Sequence, residues 1–202
     1  MIKQIWEKNR SIILFALFIL NITLFYKIIQ IYFPVGNIFK LGLEDSIPFV
    51  PLFVIPYLFF LLVLFLPFLV SIKDKKQFLA VSVSFLFASI VCNIIYMLFQ
   101  TTILRPEIIS STILDKLILF VYSIDSPLNL FPSGHVTFSL LSFFCMTKIN
   151  KKITLILLPI VILIILSTLF IKQHHIPDIL AGLLLAFVSY QFVFKKLILI
   201  KN

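Results

Sequence analysis

Long apolar runs separated by short polar segments dominate the chain and determine its predicted architecture. The runs cover about residues 11–33, 48–72, 77–103, 133–147, 153–171 and 178–194. Crossing the hydrocarbon core of a bilayer takes a helix of about 20 residues. Because lipid offers no partner for an unpaired backbone amide, every run is predicted to be helical. The pattern therefore predicts an all-α, polytopic membrane protein with six transmembrane helices, forming one domain over residues 1–202.

Two segments depart from a plain series of membrane helices. Pro51, Pro56 and Pro67 crowd the second run, which predicts a kinked or late-starting helix. The longest connection, residues 105–132, joins the third and fourth runs, and its residues 109–122 carry apolar side chains at helical spacing. That spacing predicts an amphipathic helix lying in the membrane interface between the third and fourth spans.

The composition agrees with a membrane protein and argues against a nucleic-acid-binding one. Hydrophobic residues make up 61% of the chain, charged residues only 12%, and the mean hydropathy is +1.17. Soluble domains carry roughly 25% charged residues. The net charge of +9 is divided among small clusters between apolar runs. We therefore expect membrane lipids as partners and no nucleic acid.

The basic residues also predict the orientation in the membrane. One side of the predicted topology collects most of them: Lys3, Lys8, Arg10, Lys73, Lys75, Lys76, Lys148, Lys151, Lys152, Lys195, Lys196 and Lys201. Positive charge is enriched in cytoplasmic loops, so both termini are predicted to be cytoplasmic in a multi-pass protein of the cell membrane. The same topology puts Arg105, residues 133–135 and residues 172–178 together at the extracytoplasmic face.

A polar turn, Pro132-Ser133-Gly134-His135, stands directly before the fourth run. The free amides and the dipole of a helix N-terminus favour an anion there. Ser133 is suited to cap the helix or to donate its hydroxyl to a phosphate oxygen, and Gly134 permits close approach of the backbone. His135 titrates near neutrality and suits a general acid.

A second polar group opens the last run. His174 and Asp178 are one helical turn apart, so the carboxylate can hold one imidazole nitrogen and leave the other free as a nucleophile. Asp178 could instead merely cap the helix. Arg105 offers a planar, permanently charged fork for phosphate oxygens. No Cys/His ligand set suggests zinc, and no metal or other cofactor is expected.

Three further residues have open or ordinary interpretations. Lys172, two residues before His174, could bind phosphate or simply extend to the membrane interface. His175 is expected to be an interfacial side chain, although contact with substrate is an alternative. Asp125 is expected to be a solvated loop charge.

These residues resemble the type 2 phosphatidic acid phosphatase superfamily of membrane lipid phosphate phosphatases and phosphotransferases. Its three signatures are KxxxxxxRP, PSGH and SRxxxxxHxxxD. Residues 132–135 match the second completely, and Arg105-Pro106 matches the end of the first. Ser167, His174 and Asp178 match the third at the right spacing.

The resemblance covers about residues 98–182 and implies a role for each matched position. His174 would be the nucleophile that forms a phosphohistidine, Asp178 would orient it, and His135 would be the acid toward the leaving group. The phosphate would be held by Arg105, Ser133 and Gly134.

The chain departs from the signatures at two basic positions. Leu98 stands where the first signature has lysine, and Thr168 where the third has arginine. Lys172 could partly compensate. The segment 96–106, with threonines before Arg105, also resembles the branch containing sphingomyelin and inositol-phosphoceramide synthases, which transfer a head group between lipids.

Three functions remain in view from the sequence. The first is an enzyme that hydrolyses a lipid phosphate or pyrophosphate at the outer leaflet. The second is a phosphotransferase that uses the same residues with a hydroxyl acceptor instead of water. The third is a non-catalytic lipid-binding membrane protein. The missing basic residues keep the third interpretation open.

Overall fold

A computed structural model describes residues 2–109 and 111–199, so Lys201 of the charge argument lies outside the described residues. The helices in chain order are α1 (Ile2–Leu20), α2 (Tyr26–Tyr32), α3 (Val54–Leu58), α4 (Phe60–Ser71), α5 (Lys75–Leu98), α6 (Ile113–Ile124), α7 (Gly134–Ile149), α8 (Lys151–Phe170), α9 (Ile176–Ser189) and α10 (Lys195–Leu199). Wider π-helical turns, Asn21–Phe25 and Tyr190–Phe194, join α1 to α2 and α9 to α10. A parallel pair of very short strands, β1 (Asn37–Ile38) and β2 (Thr101–Thr102), completes a nearly all-α fold.

Within the described residues, five helical segments are long and apolar enough to cross a membrane. They are Asn9–Tyr32, Pro51–Ser71, Lys75–Leu98, Lys151–Phe170 and Ile176–Leu199, close to five of the six predicted runs. The remaining run corresponds to α7, which has 16 residues. At 1.5 Å per residue it is about 24 Å long, less than the roughly 30 Å of a hydrocarbon core. The count of six spans therefore stays a prediction.

The second span has the break that its prolines predict. A 3₁₀ turn, Pro51–Phe53, precedes the short α3, and α4 begins only at Phe60. Proline lacks the amide that would continue the hydrogen-bonding ladder. The break matters for the site because it sets Tyr57 and Phe60 against His135.

The helix predicted in the long connection is present as α6. Thr112 caps it by accepting a hydrogen bond from the Asp115 amide, and the Asp115 carboxylate accepts from the Thr112 amide. Ile118 and Val121 are buried on its inner face, whereas Phe120 is 56% exposed. The helix is thus confirmed and amphipathic, while its position at a membrane interface stays a prediction.

Close packing of α7 on α9 brings the starts of these two helices together. The Ser133 amide donates to the carbonyl oxygen of Asp178 at 2.9 Å, and the Thr137 hydroxyl donates to the carbonyl of Ser133 at 2.8 Å. Gly182 permits this approach, because a Cβ there would lie 2.9 Å from the Ser133 carbonyl oxygen. The two polar turns that the sequence singles out are therefore neighbours.

Candidate active site

His174 lies in the turn between α8 and α9 and is held by a carboxylate one turn further along. Its Nδ1 is 3.4 Å from Oδ2 of Asp178, and both side chains are buried. The same Oδ2 accepts a hydrogen bond of 2.8 Å from the His175 amide. Asp178 therefore both caps α9 and contacts His174. Its role as a helix cap and its contact with the imidazole do not exclude one another. Contact at Nδ1 leaves Nε2 as the nitrogen available to a substrate.

His135 faces His174 from the first turn of α7. The centroids of the two imidazole rings are 5.7 Å apart. The His135 ring packs against Tyr57 and Phe60, with centroid distances of 4.6 and 4.3 Å. Two histidines from distant parts of the chain thus border one space. This agrees with the predicted topology, which puts both motifs at the same end of the helices.

Asp125 is not the solvated loop charge that the sequence suggested, and that prediction is wrong. Its Oδ1 accepts a hydrogen bond from the Tyr26 hydroxyl at 3.2 Å, and its Oδ2 accepts one from Tyr57 at 2.7 Å. Oδ2 also lies 3.9 Å from Nε2 of His135. The carboxylate turns inward because tyrosines from two other helices offer it donors. No local spacing in the sequence shows this contact.

Arg105 reaches the site from the loop after β2. Its guanidinium lies over the Tyr122 ring at 4.3 Å and donates to the Tyr122 carbonyl and to the side-chain oxygen of Gln173. Burial lowers the pKa of this guanidinium, and the nearby Asp125 raises it in part. Arginine remains a cation in proteins, so the site keeps a fixed positive charge. The Nε of Arg105 has no partner among the described residues.

The other predicted phosphate ligands have partners within the chain. The Lys172 ammonium donates to the backbone carbonyls of Glu44 and Ile47. Ser133 is fully buried and caps α7, its hydroxyl accepting from the Val136 amide at 3.3 Å. A Cβ at Gly134 would meet nothing closer than 3.6 Å, so packing within the chain does not require glycine there.

Two cavities of about 370 Å³ each meet at His174. One of them, which we call the polar cavity, is lined by charged and imidazole side chains together with apolar neighbours. Its charged and imidazole side chains are those of Lys40, Glu44, Asp45, Arg105, Lys172, His174 and His175. What we call the apolar cavity runs between the helices and is lined mainly by aromatic and aliphatic side chains, with His135, Asp125 and His174 at its polar end. His174 alone of the three signature residues 135, 174 and 178 borders both spaces.

Glu44 and His175 are site residues that the sequence did not single out clearly. Glu44 accepts hydrogen bonds from the amides of Ile176 and Leu41 at 2.9 and 3.1 Å. Burial would raise the pKa of this carboxyl, but these amide donors outweigh it and lower the pKa. Burial lowers the pKa of the His175 imidazole, despite the nearby Asp178 and Glu44. Neither ring nitrogen of His175 has a partner among the described residues.

The two departures from the signatures have different structural settings. Leu98 ends α5, is 82% exposed and lines neither cavity. Thr168 is fully buried, and its carbonyl accepts the amides of Gln173 and His174 at 2.9 and 3.0 Å. An arginine at 168, in the last turn of α8, would therefore need new space next to the turn that holds His174.

Comparison with known proteins supplies the family. No curated protein and no solved structure matches the chain. The sequence profile of the PAP2 superfamily matches residues 77–198, more than half of the 202 residues. This region contains Arg105, the turn at 132–135 and the His174–Asp178 pair. The chain therefore belongs to the PAP2 superfamily, whose members are phosphatases or phosphotransferases acting on phosphate esters.

Proposed function

We propose that this protein transfers a phosphoryl group from a lipid phosphate or pyrophosphate to water through a phosphohistidine on His174. The observation that carries the proposal is the convergence of the two histidines. Their rings lie 5.7 Å apart, with a carboxylate against Nδ1 of His174. A phosphorus atom between two such rings has a nucleophile on one side and a proton donor on the other, which suits in-line displacement.

The first half-reaction needs one bond formed and one broken. Nε2 of His174 attacks phosphorus, and the bond from phosphorus to the lipid oxygen breaks with its electron pair on that oxygen. His135 gives its proton to the departing oxygen. Asp178 holds the imidazole of His174 in the tautomer that leaves Nε2 unprotonated and stabilises the charge that develops on it.

The second half-reaction reverses the roles. Neutral His135 takes a proton from water as the water oxygen attacks phosphorus. The phosphorus–nitrogen bond breaks, and its electron pair returns to His174. The chain's own side chains are sufficient for both steps, so the proposal requires no metal or cofactor.

Phosphate binding rests on the cations of the polar cavity. Arg105 offers a rigid planar set of donors in this cavity. Lys172 contributes charge from its place in the cavity wall, while Ser133 and Gly134 shape the start of α7. The proposed location is the extracytoplasmic face of the cell membrane, with both termini cytoplasmic.

The apolar cavity favours a second candidate function, a lipid head-group phosphotransferase. An acceptor lipid in that cavity could place its hydroxyl beside His135, where water would otherwise attack. The chemistry at His174 is unchanged, and only the species activated by His135 differs. A third interpretation, non-catalytic lipid binding, uses the same cavities without turnover.

One labelling experiment separates these functions. Purified protein is incubated with ³²P-labelled phosphatidate, and in further runs with labelled phosphatidylglycerol phosphate or polyprenyl pyrophosphate. Acid-labile, alkali-stable label on the protein is expected, followed by free phosphate. Label on an added acceptor lipid would instead support transfer. No turnover of any of these substrates, with lipid binding intact, would support the non-catalytic interpretation.

The controls use single substitutions. His174→Ala is expected to abolish both protein label and turnover. Asp74→Asn is the matched control, because Asp74 caps the start of α5 and asparagine caps nearly as well. Asp74 lies at the opposite end of α5 from Tyr96, which lines the apolar cavity.

A further inference from the structure

Asp125 is a carboxylate built into the site by three separate parts of the chain. It follows α6, where its amide donates to the Val121 carbonyl at 2.9 Å. Tyr26 from α2 and Tyr57 from α3 each donate a phenol hydrogen to a different carboxylate oxygen. The residue belongs to none of the three signatures, and no matched motif accounts for its place.

The charge of Asp125 affects His135, because the two side chains lie close together in a largely buried setting. Two aromatic rings pack against His135, whose side chain is 18% exposed, against 22% for that of Asp125. A protonated imidazole in such surroundings is costly without a nearby anion. Oδ2 of Asp125 lies 3.9 Å from Nε2 of His135, close enough to pair with the imidazole when it is protonated. Two phenol hydroxyls donate hydrogen bonds to the carboxylate and fix its position.

We propose that Asp125 is the carboxylate that positions His135. Asp178 has the same role for His174, so each of these two histidines has its own carboxylate. Asp125 stabilises the imidazolium form of His135 and orients the ring, while Tyr26 and Tyr57 hold the carboxylate in place. The inference rests on the proposed function, because it assigns a partner to the general acid.

The proton balance stays that of the proposed reaction. His135 loses its proton to the departing oxygen and regains one from the attacking water or hydroxyl. Asp125 remains ionised in both steps and supplies no proton. Its effect is to keep the donor charged before the first step and to favour recharging in the second.

Other groups that face His135 could also influence its titration. Among the described residues, those that line the same cavity are His174 on the α8–α9 turn, Tyr57 on α3, Tyr26 on α2, and Cys92 and Tyr96 on α5, while Arg105 on the loop after β2 is near enough to act on Tyr57. Of these, His174 and Arg105 carry or acquire positive charge and oppose protonation of His135. Asp125 is therefore the group whose removal should move the titration most.

The first test measures that titration without requiring turnover. The chain has 3 histidines, so protein carrying ¹⁵N-labelled histidine gives few ring signals, assignable with His→Gln variants. In Asp125→Asn the His135 midpoint is expected to fall by about one pH unit. Asp74→Asn should leave it in place. An unchanged His135 midpoint in Asp125→Asn overturns the inference even if the enzyme is inactive.

The second test compares leaving groups. Asp125→Asn is expected to lower kcat on phosphatidate by about 10–100-fold, part of the contribution of a general acid. An aryl phosphate, whose leaving group needs little protonation, should lose less than about 3-fold. The alkaline limb of the phosphatidate profile should move to lower pH, because the acid form of His135 is then lost earlier. Tyr57→Phe should give a smaller change of the same kind.

The outcomes separate the inference from the function on which it rests. Equal losses on both substrates, with the alkaline limb unmoved, mark Asp125 as merely structural and overturn the inference. Absence of turnover by the parent protein would count against the proposed function, while the ring titration still decides for or against the pairing of Asp125 with His135.

Discussion

The two histidines of the site are supported in different ways. His174 has its carboxylate four residues further along the chain, in the first turn of α9, so the start of α9 fixes the pair. His135 has Asp125 opposite it, brought from the end of α6 and held by tyrosines from two further helices. The contact between His174 and Asp178 requires only that α9 begins at its present residue. The second arrangement depends on the packing of four elements, α2, α3, α6 and α7. Displacement of any one of them would separate Asp125 from His135.

The largest expected effect comes from the two imidazoles themselves. His174→Gln should reduce turnover of both phosphatidate and an aryl phosphate by at least about 10⁴-fold, because the nucleophile is lost. His135→Gln should cost about 10²–10⁴-fold on phosphatidate and far less on the aryl phosphate. Steady-state rates on the two substrates measure this. Equal losses in His135→Gln would contradict the assignment of the general acid.

Asp178→Asn should be more damaging than Asp125→Asn. The amide spoils the tautomer of His174, and we expect kcat to fall by about 10³-fold with KM changed little. Asparagine can still cap α9, so the thermal transition should shift only slightly. Kinetics and thermal unfolding of the same preparations test this. A large loss of folded protein would show that capping, rather than orientation, dominates at this position.

Arg105→Lys should weaken phosphate binding more than it slows chemistry. Lysine keeps the charge but loses the stacking on Tyr122 and the fork that reaches both the Tyr122 carbonyl and Gln173. A rise in KM of about 10-fold is expected, with kcat changed less. Lys116→Arg, on the α6 surface, serves as the reverse control. An unchanged KM would remove Arg105 from the phosphate site.

Gly182→Ala should disturb both histidines together, because the new methyl group would press on the Ser133 carbonyl at 2.9 Å. Overpacking of this kind costs about 1–3 kcal/mol, and a roughly 10-fold loss of activity should accompany it. Leu184→Ala, a substitution at a side chain 63% exposed on the same helix, is the control. Normal activity and stability of Gly182→Ala would show that the α7–α9 contact tolerates expansion.

The smallest effect should come from Glu44, which ties the loop before α3 to the start of α9. Its pKa is lowered in the folded protein, so the stabilisation is present above the unfolded value and is lost as pH falls through the folded value. Glu44→Gln should lower Tm at pH 7 by about 2–4 °C. The difference should shrink near pH 3. A constant difference across this range would exclude the carboxylate's charge as its source.

The contrast between the histidines also explains what the sequence could predict. The spacing of His174 and Asp178, the cap at Ser133 and the helix at 113–124 depend on residues within a few positions of one another. Local rules therefore identify them. The match to the PAP2 superfamily covers the same residues.

Contacts between distant segments were beyond such rules. Asp125 was expected in solvent, yet its partners come from residues 26, 57 and 135. The Lys172 ammonium donates to carbonyls at 44 and 47, because the loop before α3 folds over the α8–α9 turn. The sequence around Thr168 does not indicate that this side chain is fully buried. Each of these depends on tertiary packing rather than on spacing.

The shortness of α7 has a consequence for how substrate meets the enzyme. In the predicted six-span topology, with Lys148 in its last turn at one membrane surface, a helix about 24 Å long would end roughly 6 Å short of the other edge of a typical hydrocarbon layer. That topology would place His135, in the first turn, below the plane of the lipid head groups. A phosphate would then have to descend to reach it, or the bilayer would have to thin around it, and under this topology lipid acyl length is expected to change the catalytic rate.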